Sequence, residues 1–350
     1  MLFVDHYCEL VPMIEHLADE LYYQFDKLPI VPGATYIVGR EEMRKHSTKI
    51  RDIVTQCNIV YANPAEGSSS LLWDLKRFNI DDLILQGHIK LVGGGRMPPE
   101  YKFMLFEHFL TQPFRFEENR QASLRAKEIY AKRIKPYKFL CLNGRFRPHR
   151  AQVIHGLGER GLLNSALWTN LDSAQQPIKL LPPEYEVERY NTAVTGTGFV
   201  KQELFAGEWG DIYIRAEPYI DTYFSVVTET VWDMPYSFFT EKIAKPLAMG
   251  HPFIVAANSG FYRDLQNLGF RTFSGLIDES FDSITSDRDR LKRMLDAVDD
   301  LCQQDLELFI TAAEPICKYN QQHLKQLAAD SMATLPQQLL NFIHGTDPNN

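Results

Sequence analysis

FSVVTETVWDMPYSFFTEKIAKPLAMGHPFIVAANSGFYRDLQNLGFRTF, the run from Phe224 to Phe273, sets the grammar of the chain. It opens with an apolar, β-branched strand run, Phe224 to Val227, that leads to Glu229. A loop containing Pro235 then brings in Thr240, placed as a helix N-cap. The predicted helix, Glu241 to Met249, stops at Gly250, and His251-Pro252 hands over to a second buried-strand run, Phe253 to Ala256. The pattern then repeats, with Ser259 as N-cap, a helix through Leu268, Gly269 as its stop, and a short predicted strand Arg271-Thr272-Phe273. Strands alternating with helices of about ten residues predict βαβ units with right-handed crossovers over a parallel sheet. Ligands of such sheets sit outside the carboxyl ends of the strands, so Glu229 and Thr240-Glu241-Lys242 face the expected site.

The same alternation runs through the first half. A helix is predicted over Leu10 to Phe25, a turn at Pro29 to Pro32, a strand at Thr35 to Val38 and a helix over Arg40 to Cys57. The strand Asn58 to Ala62 is stopped by Asn63-Pro64, and serines cap a helix from Ser68 to Phe78. The strand His88 to Val92 runs into Gly93-Gly94-Gly95-Arg96. Helices at Pro99 to Thr111 and Glu118 to Ile134 lead through Pro136 to the strand Lys138 to Leu142. The domain boundary is expected between Ile134 and Lys138, giving domains 1–135 and 136–335 and a tail 336–350. Asn191 to Gly210, rich in Gly and Thr, reads as a loop. From Asp287 onward Leu291, Met294, Leu295, Val298 and Leu301 fall at helical spacing.

Composition narrows the class. A chain of 350 residues with 45% hydrophobic and 12% aromatic residues supports two full cores. No apolar run approaches the roughly 20 residues of a membrane span. Asp5, His6 and Glu9 interrupt the apolar core that a signal peptide would need. Cys8, Cys57, Cys141, Cys302 and Cys317 are scattered without CxxC spacing, which predicts reduced thiols in a cytoplasmic protein rather than a zinc site or disulfide framework. The net charge of −8 argues against a broad nucleic-acid footprint. A local basic run, Arg120, Arg125, Lys127, Lys132, Arg133, Lys135 and Lys138, followed by Arg145, Arg147, His149 and Arg150, reads as a solvated helix leading into a phosphate site.

Two pieces carry a resemblance. Glu229-Thr230 followed by Phe238-Phe239-Thr240-Glu241-Lys242 resembles the Glu-Asn-Ser and Tyr-x-Thr-Glu-Lys signature of the α1,3-fucosyltransferases, and exostosin-like transferases share a related strand-loop-helix. KFLCLNGRFRPHR, Lys138 to Arg150, resembles the strand, Asn-containing loop and helix-borne Arg that begin the donor-binding domain of that family. The resemblance covers Lys138 to about Phe273 with gaps. It implies a glycosyltransferase of GT-B type: α/β, with two Rossmann-like domains facing across a cleft and C-terminal helices, Gln337 to Ile343, crossing back. It further implies that Arg150 binds phosphate, that Lys242 meets the donor, and that Glu229 and Glu241 bind ribose or sugar hydroxyls. The family has a Tyr where this chain has Phe238, so the identity of the sugar is left open.

The residues themselves suit that chemistry. Transfer from a nucleotide-diphosphate sugar requires stabilising the charge that develops on the departing phosphate, and helix N-termini with Arg or Lys do this without a metal. Asn143-Gly144-Arg145 lies at a strand end and Arg150 opens the next helix, so a guanidinium and free N–H groups converge. The expected donor set is Asn143, Arg145, Arg150, Glu229, Phe238, Thr240, Glu241 and Lys242, with Arg150 and Lys242 exposed to the ligand. No cofactor or metal is expected beyond the nucleotide sugar itself. An inverting transfer needs a general base. Glu66, in the small-residue loop NPAEGSSS after a strand, is the candidate; His88, Asp74, Glu100 and His108 compete, and Gly93 to Gly95 could admit a phosphate.

Other chemistries fit less well. Gly156 to Gly161 has the letters of a dinucleotide fingerprint but follows a predicted helix; no P-loop or GxSxG is present, and Asp287-Arg288-Asp289 opens a helix instead of ending a strand. The acceptor is open between a glycan, a protein and, as phage enzymes use, a modified DNA base. A non-catalytic nucleotide-sugar or glycan-binding protein is the alternative from a different class.

Overall fold

A computed structural model describes residues 1–185 and 213–346; the predicted loop Asn191 to Gly210 lies outside them. The chain forms two compact units, one comprising Met1–His108 with the tail from Ala329, the other the described residues between Phe109 and Ala328. In the first, β1 (Leu2–Asp5), β2 (Glu20–Tyr22), β3 (Thr35–Val38), β4 (Asn58–Asn63), β5 (Ile89–Gly93) and β6 (Phe103–Leu105) make one sheet in the order β2-β1-β3-β4-β5-β6, every pair parallel. In the second unit β7 (Tyr137–Cys141) and β8 (Ala166–Trp168) are followed by a small antiparallel pair, β9 (Asn170–Leu171) and β10 (Pro177–Lys179). With β11 (Thr222–Thr228) and β12 (Phe253–Ala256), β7 and β8 build a parallel sheet in the order β12-β11-β7-β8. Both sheets are of the parallel, helix-covered kind that the alternation predicts.

Strand alternation explains the layers. Phe3, Tyr36, Val38, Ile59, Tyr61 and Leu91 face the helices Arg40–Ile53, Ser68–Arg77 and Asp81–Leu85 through Met43, Ile50, Leu71, Leu75 and Leu83. The intervening residues Val4, Ile37, Val60, Ala62 and Val92 point the other way, onto Leu10, Val11 and Ile14 and onto Leu335, Leu339 and Phe342 of the long Leu306–His344 helix. Lys90 Nζ on that face donates to the carbonyls of Phe342 (2.7 Å) and Ile343 (2.6 Å), closing the helix end. In the second unit all seven residues of β11 are buried, and Phe139, Phe224, Val226, Phe253 and Val255 share a core with Val153, Leu157, Ile243, Leu247 and Val298.

Several predicted elements differ. Leu10 to Phe25 is not one helix: only Val11–Ile14 is α-helical, and Glu20–Tyr22 becomes a strand beside β1, with Tyr22 buried and its hydroxyl donating to Ile37 O (2.8 Å). Pro99 to Thr111 contains the edge strand β6 instead of one continuous helix, because its backbone pairs with β5. Arg271 to Phe273 forms no strand, since side chains satisfy its backbone instead: Asn320 accepts from Arg271 N (2.8 Å) and donates to Arg271 O (2.8 Å), and Glu279 accepts from Phe273 N (2.6 Å). The helices Glu117–Leu124 and Ala126–Ala131 carry Ala122 and Ile129 into the second core, so the units divide in sequence at His108, ahead of the Ile134 to Lys138 stretch.

Candidate functional site

The carboxyl ends of β7 and β11 gather most of the expected donor residues. Asn143, two positions past β7, is fully buried and stitches three strand ends together. Its backbone N–H donates to Thr169 Oγ1 (2.8 Å) beyond β8, and its Oδ1 accepts from the hydroxyl of Thr228 at the end of β11. Its Nδ2 is enclosed and has no protein partner. A buried amide donor left unmade costs about 1–3 kcal/mol, so an acceptor at this position, a water or a ligand, would stabilise the fold.

Arg150 is the second such group. It lies in the first turn of the Pro148–Glu159 helix and is 2% exposed, so the expectation of an open cation is corrected. Its Nη1 donates to Arg145 O (3.1 Å) and its Nη2 reaches Glu229 O (3.5 Å), while Nε has no partner. Burial lowers its pKa to about 10, opposed by Glu241 and Glu229. It remains a cation at neutral pH. Arg145 and Arg147 are exposed beside it, and a Cβ added to Gly144 would meet nothing within 4 Å, so this loop opens to solvent.

Glu229 acts inside the protein. Its Oε1 accepts from Thr240 N (3.1 Å), and its Oε2 accepts from Thr230 N (2.9 Å) and Thr240 Oγ1 (2.6 Å). The carboxylate thereby braces the end of β11 against the Glu241–Met249 helix, which occupies the oxygens that a ribose hydroxyl was expected to use. Burial raises its pKa, and Lys242 pulls the other way. Thr240 is the N-cap, its hydroxyl accepting from Lys242 N (3.3 Å). Lys242 Nζ pairs with the Glu241 carboxylate and lies 3.4 Å from the hydroxyls of Thr230 and Thr240. Burial opposes ionisation of Glu241, but the Lys242 ammonium prevails and its pKa is lowered. Phe238 turns inward, edge-on to Phe109 with ring centres 5.8 Å apart.

His149, read in the sequence as part of the basic run, has a structural role, and Arg290 escaped sequence reasoning. His149 Nε2 donates to Glu229 O (2.8 Å), and its ring stacks on Trp232 at 5.6 Å and 7°. Burial lowers its pKa to about 4, so it is neutral. Arg290 lies over the Trp232 ring (4.3 Å) and donates to Trp232 O (2.7 Å) and Ala257 O (3.0 Å), locking the loops after β11 and β12. The aromatic in VWDMP was the available signal. Arg290 also pairs with Asp287, giving Asp287-Arg288-Asp289 a structural partner.

The remaining candidates lie in the first unit. Glu66 Oε1 accepts from Arg40 Nη1 (3.2 Å), and Asp74, fully buried, takes the same guanidinium in two bonds (2.7 and 3.1 Å). His88 and Glu100 are exposed and precede β5 and β6, at the amino ends of the strands, away from the edge where parallel sheets bind ligands. His108 is buried beyond β6, and Gly93 to Gly95 are buried at the end of β5.

Part of the basic run is paired within the protein, while Lys127 and Arg133 are exposed. Arg120 pairs with Glu117, Arg125 with Glu128 and Glu217, and Lys132 with Asp221. Lys135 is buried on the carbonyls of Ile129 (2.8 Å) and Ile220 (2.6 Å), and burial lowers its pKa to about 8. Among the described residues no group of three or more His, Cys, Asp or Glu side chains is placed to hold a metal ion, and no helix is long and apolar enough to cross a membrane. Comparison with family models, curated proteins and solved structures gave no match to the chain.

Proposed function

We propose that the protein is a GT-B-type glycosyltransferase that moves a sugar from a nucleotide-diphosphate sugar to a hydroxyl acceptor, with inversion and without a metal. The observation that carries this reading is the pair of buried, unpartnered donors, Asn143 Nδ2 and Arg150 Nε, at the carboxyl end of a parallel sheet and beside a helix N-terminus. Arg145 and Arg147 lie exposed on the loop beside them, and Lys242 pairs with Glu241 at the start of the neighbouring helix. Preorganised donors and cations of this kind suit a diphosphate leaving group. In the step, the bond from the sugar C1 to the diphosphate oxygen breaks and its electron pair stays on the diphosphate. A bond from C1 to the acceptor oxygen forms, and the acceptor proton passes to a carboxylate, for which Glu66 is the proposed group. The net charge of −8 and the pairing of Arg120, Arg125 and Lys132 with acids weigh against a nucleic-acid acceptor.

The test is calorimetry with UDP and GDP, together with mass spectrometry of donor hydrolysis and transfer over a panel of nucleotide sugars. One nucleoside diphosphate is expected to bind, and Asn143→Asp, which sets a carboxylate against the phosphate, should weaken it by at least about tenfold. Turnover should persist in EDTA. If neither diphosphate binds, or Asn143→Asp binds equally well, the donor site is wrong.

A further inference from the structure

In the order β2-β1-β3-β4-β5-β6 the chain leaves β1 for β2 on one side and returns to β3 on the other. Connections that diverge in this way leave a crevice outside the carboxyl ends of β1 and β3, the usual binding place of a parallel sheet. Asp5 ends β1 and Gly39-Arg40 follows β3. The Asp5 carboxylate ties the two loops, Oδ2 accepting from Gly39 N (3.0 Å) and Oδ1 from Tyr7 N (3.0 Å). The approach is so close that a Cβ on residue 39 would stand 2.7 Å from Asp5 Oδ2. Across from them, Arg40 holds Glu66 and Asp74.

Two polar atoms here are unsatisfied. Glu9 Oε2 and His6 Nδ1 are enclosed polar atoms without a protein partner. Beside them the rings of His6, Tyr7 and Tyr23 gather, with centres 4.4 Å (His6 to Tyr23) and 5.3 Å (His6 to Tyr7) apart. Tyr7 is 57% and Tyr23 56% exposed, so this aromatic surface is left uncovered. Burial raises the pKa of Glu9 to about 7, assisted by Asp5 and Glu66 and opposed by Arg40.

These groups select a ligand class. Asp5, Glu9 and Glu66 repel an anion, and Arg40, held by Glu66 and Asp74, offers no free charge to one. A purely apolar ligand would leave Glu9 and His6 unsatisfied. A sugar ring offers hydroxyls that can donate to a carboxylate or exchange hydrogen bonds with an imidazole, and a C–H face that lies flat on aromatic rings. We infer that the β1/β3 crevice of the first unit binds an uncharged saccharide, set in the corner between the Tyr7 and Tyr23 rings, which stand 6.0 Å apart at 75°, and hydrogen-bonded to Glu9 and His6. This site stands whether or not the protein transfers sugar.

Saturation-transfer NMR on the full chain with cellotriose, maltotriose and chitotriose tests it. At least one trisaccharide should receive saturation at its ring protons. The Tyr7→Ala/Tyr23→Ala double variant and Glu9→Gln should each weaken it by about tenfold or more. Trp73→Ala, which removes another exposed aromatic of the same unit, should leave binding unchanged, as should added UDP. The tyrosine variant changes exposed side chains only and keeps the test valid if Glu9→Gln fails to fold. Absence of transfer to all three sugars overturns the inference, as does binding that survives the tyrosine changes or is displaced by UDP. Failure of the nucleotide experiment alone would leave this site standing.

Discussion

Arg150, Lys135, Arg290 and His251, buried in the second unit, are held by backbone carbonyls, and this decides what each substitution does. Arg150 bonds two carbonyls and stands close to two acids, so Arg150→Ala should cost about 2–3 kcal/mol of stability as well as any ligand affinity. Chemical denaturation of that variant checks it; unchanged stability would mean the guanidinium contributes nothing to the fold. His251 makes a cleaner pH probe. Its Nε2 donates to Thr222 O (2.9 Å) and its Nδ1 accepts from Ser225 Oγ (2.9 Å), so both ring nitrogens are engaged in the neutral form. Burial lowers its pKa to about 3, below the 6.5 of an unfolded histidine. Between these values the unfolded chain binds a proton that the folded chain refuses, so stability is full above pH 6.5 and falls as pH drops, by up to about 1.4 kcal/mol per unit. Glu9 and Glu279, raised to about 7, act in the opposite sense above the unfolded carboxylate range. The comparison is therefore made against His251→Gln, which should show a flatter stability profile between pH 5 and 7 in urea unfolding. Equal slopes in parent and variant would refute a titrating His251.

At the scale of elements, the Glu241–Met249 helix depends on both of its ends. Thr240→Ala removes the cap on Lys242 N and the hydroxyl that donates to Glu229, and is expected to cost at least about 1 kcal/mol; Thr240→Ser should restore most of it. If Ala and Ser behave alike in thermal unfolding, the hydroxyl is not the cap. At the other end Gly250 has φ +58°, the left-handed region, while its Cβ direction is uncrowded, the nearest atom being 3.6 Å away. Gly250→Ala should then cost only backbone strain, about 1–2 kcal/mol. Cap and stop signals are local, which is why Thr240 and Gly250 are legible in the sequence. The irregular path of Arg271 to Phe273 is not, because the Asn320 that satisfies it comes from a helix distant in the chain.

For the whole molecule, two units with separate cores predict unfolding that departs from a single two-state transition. Tyr61→Ala in the first core and Phe253→Ala in the second should each cost about 3–5 kcal/mol and displace different parts of a calorimetric trace. Superimposable traces with one shared shift would show one cooperative unit. The sequence by itself determined the parallel α/β grammar, since β3, β4, β5, β7, β11 and β12 are apolar runs bounded by turn and cap residues. It also placed Asn143 and Glu229 just past strands and Arg150 and Thr240 at helix starts. Only tertiary structure decided the rest. The short strands β2, β6 and β8 have too few residues to show a period and exist because a neighbour distant in sequence accepts their hydrogen bonds. The burial of Arg150, the bracing role of Glu229 and the capture of Glu66 by Arg40 are likewise contacts between distant segments, and the charge of a side chain does not reveal whether folding will enclose it.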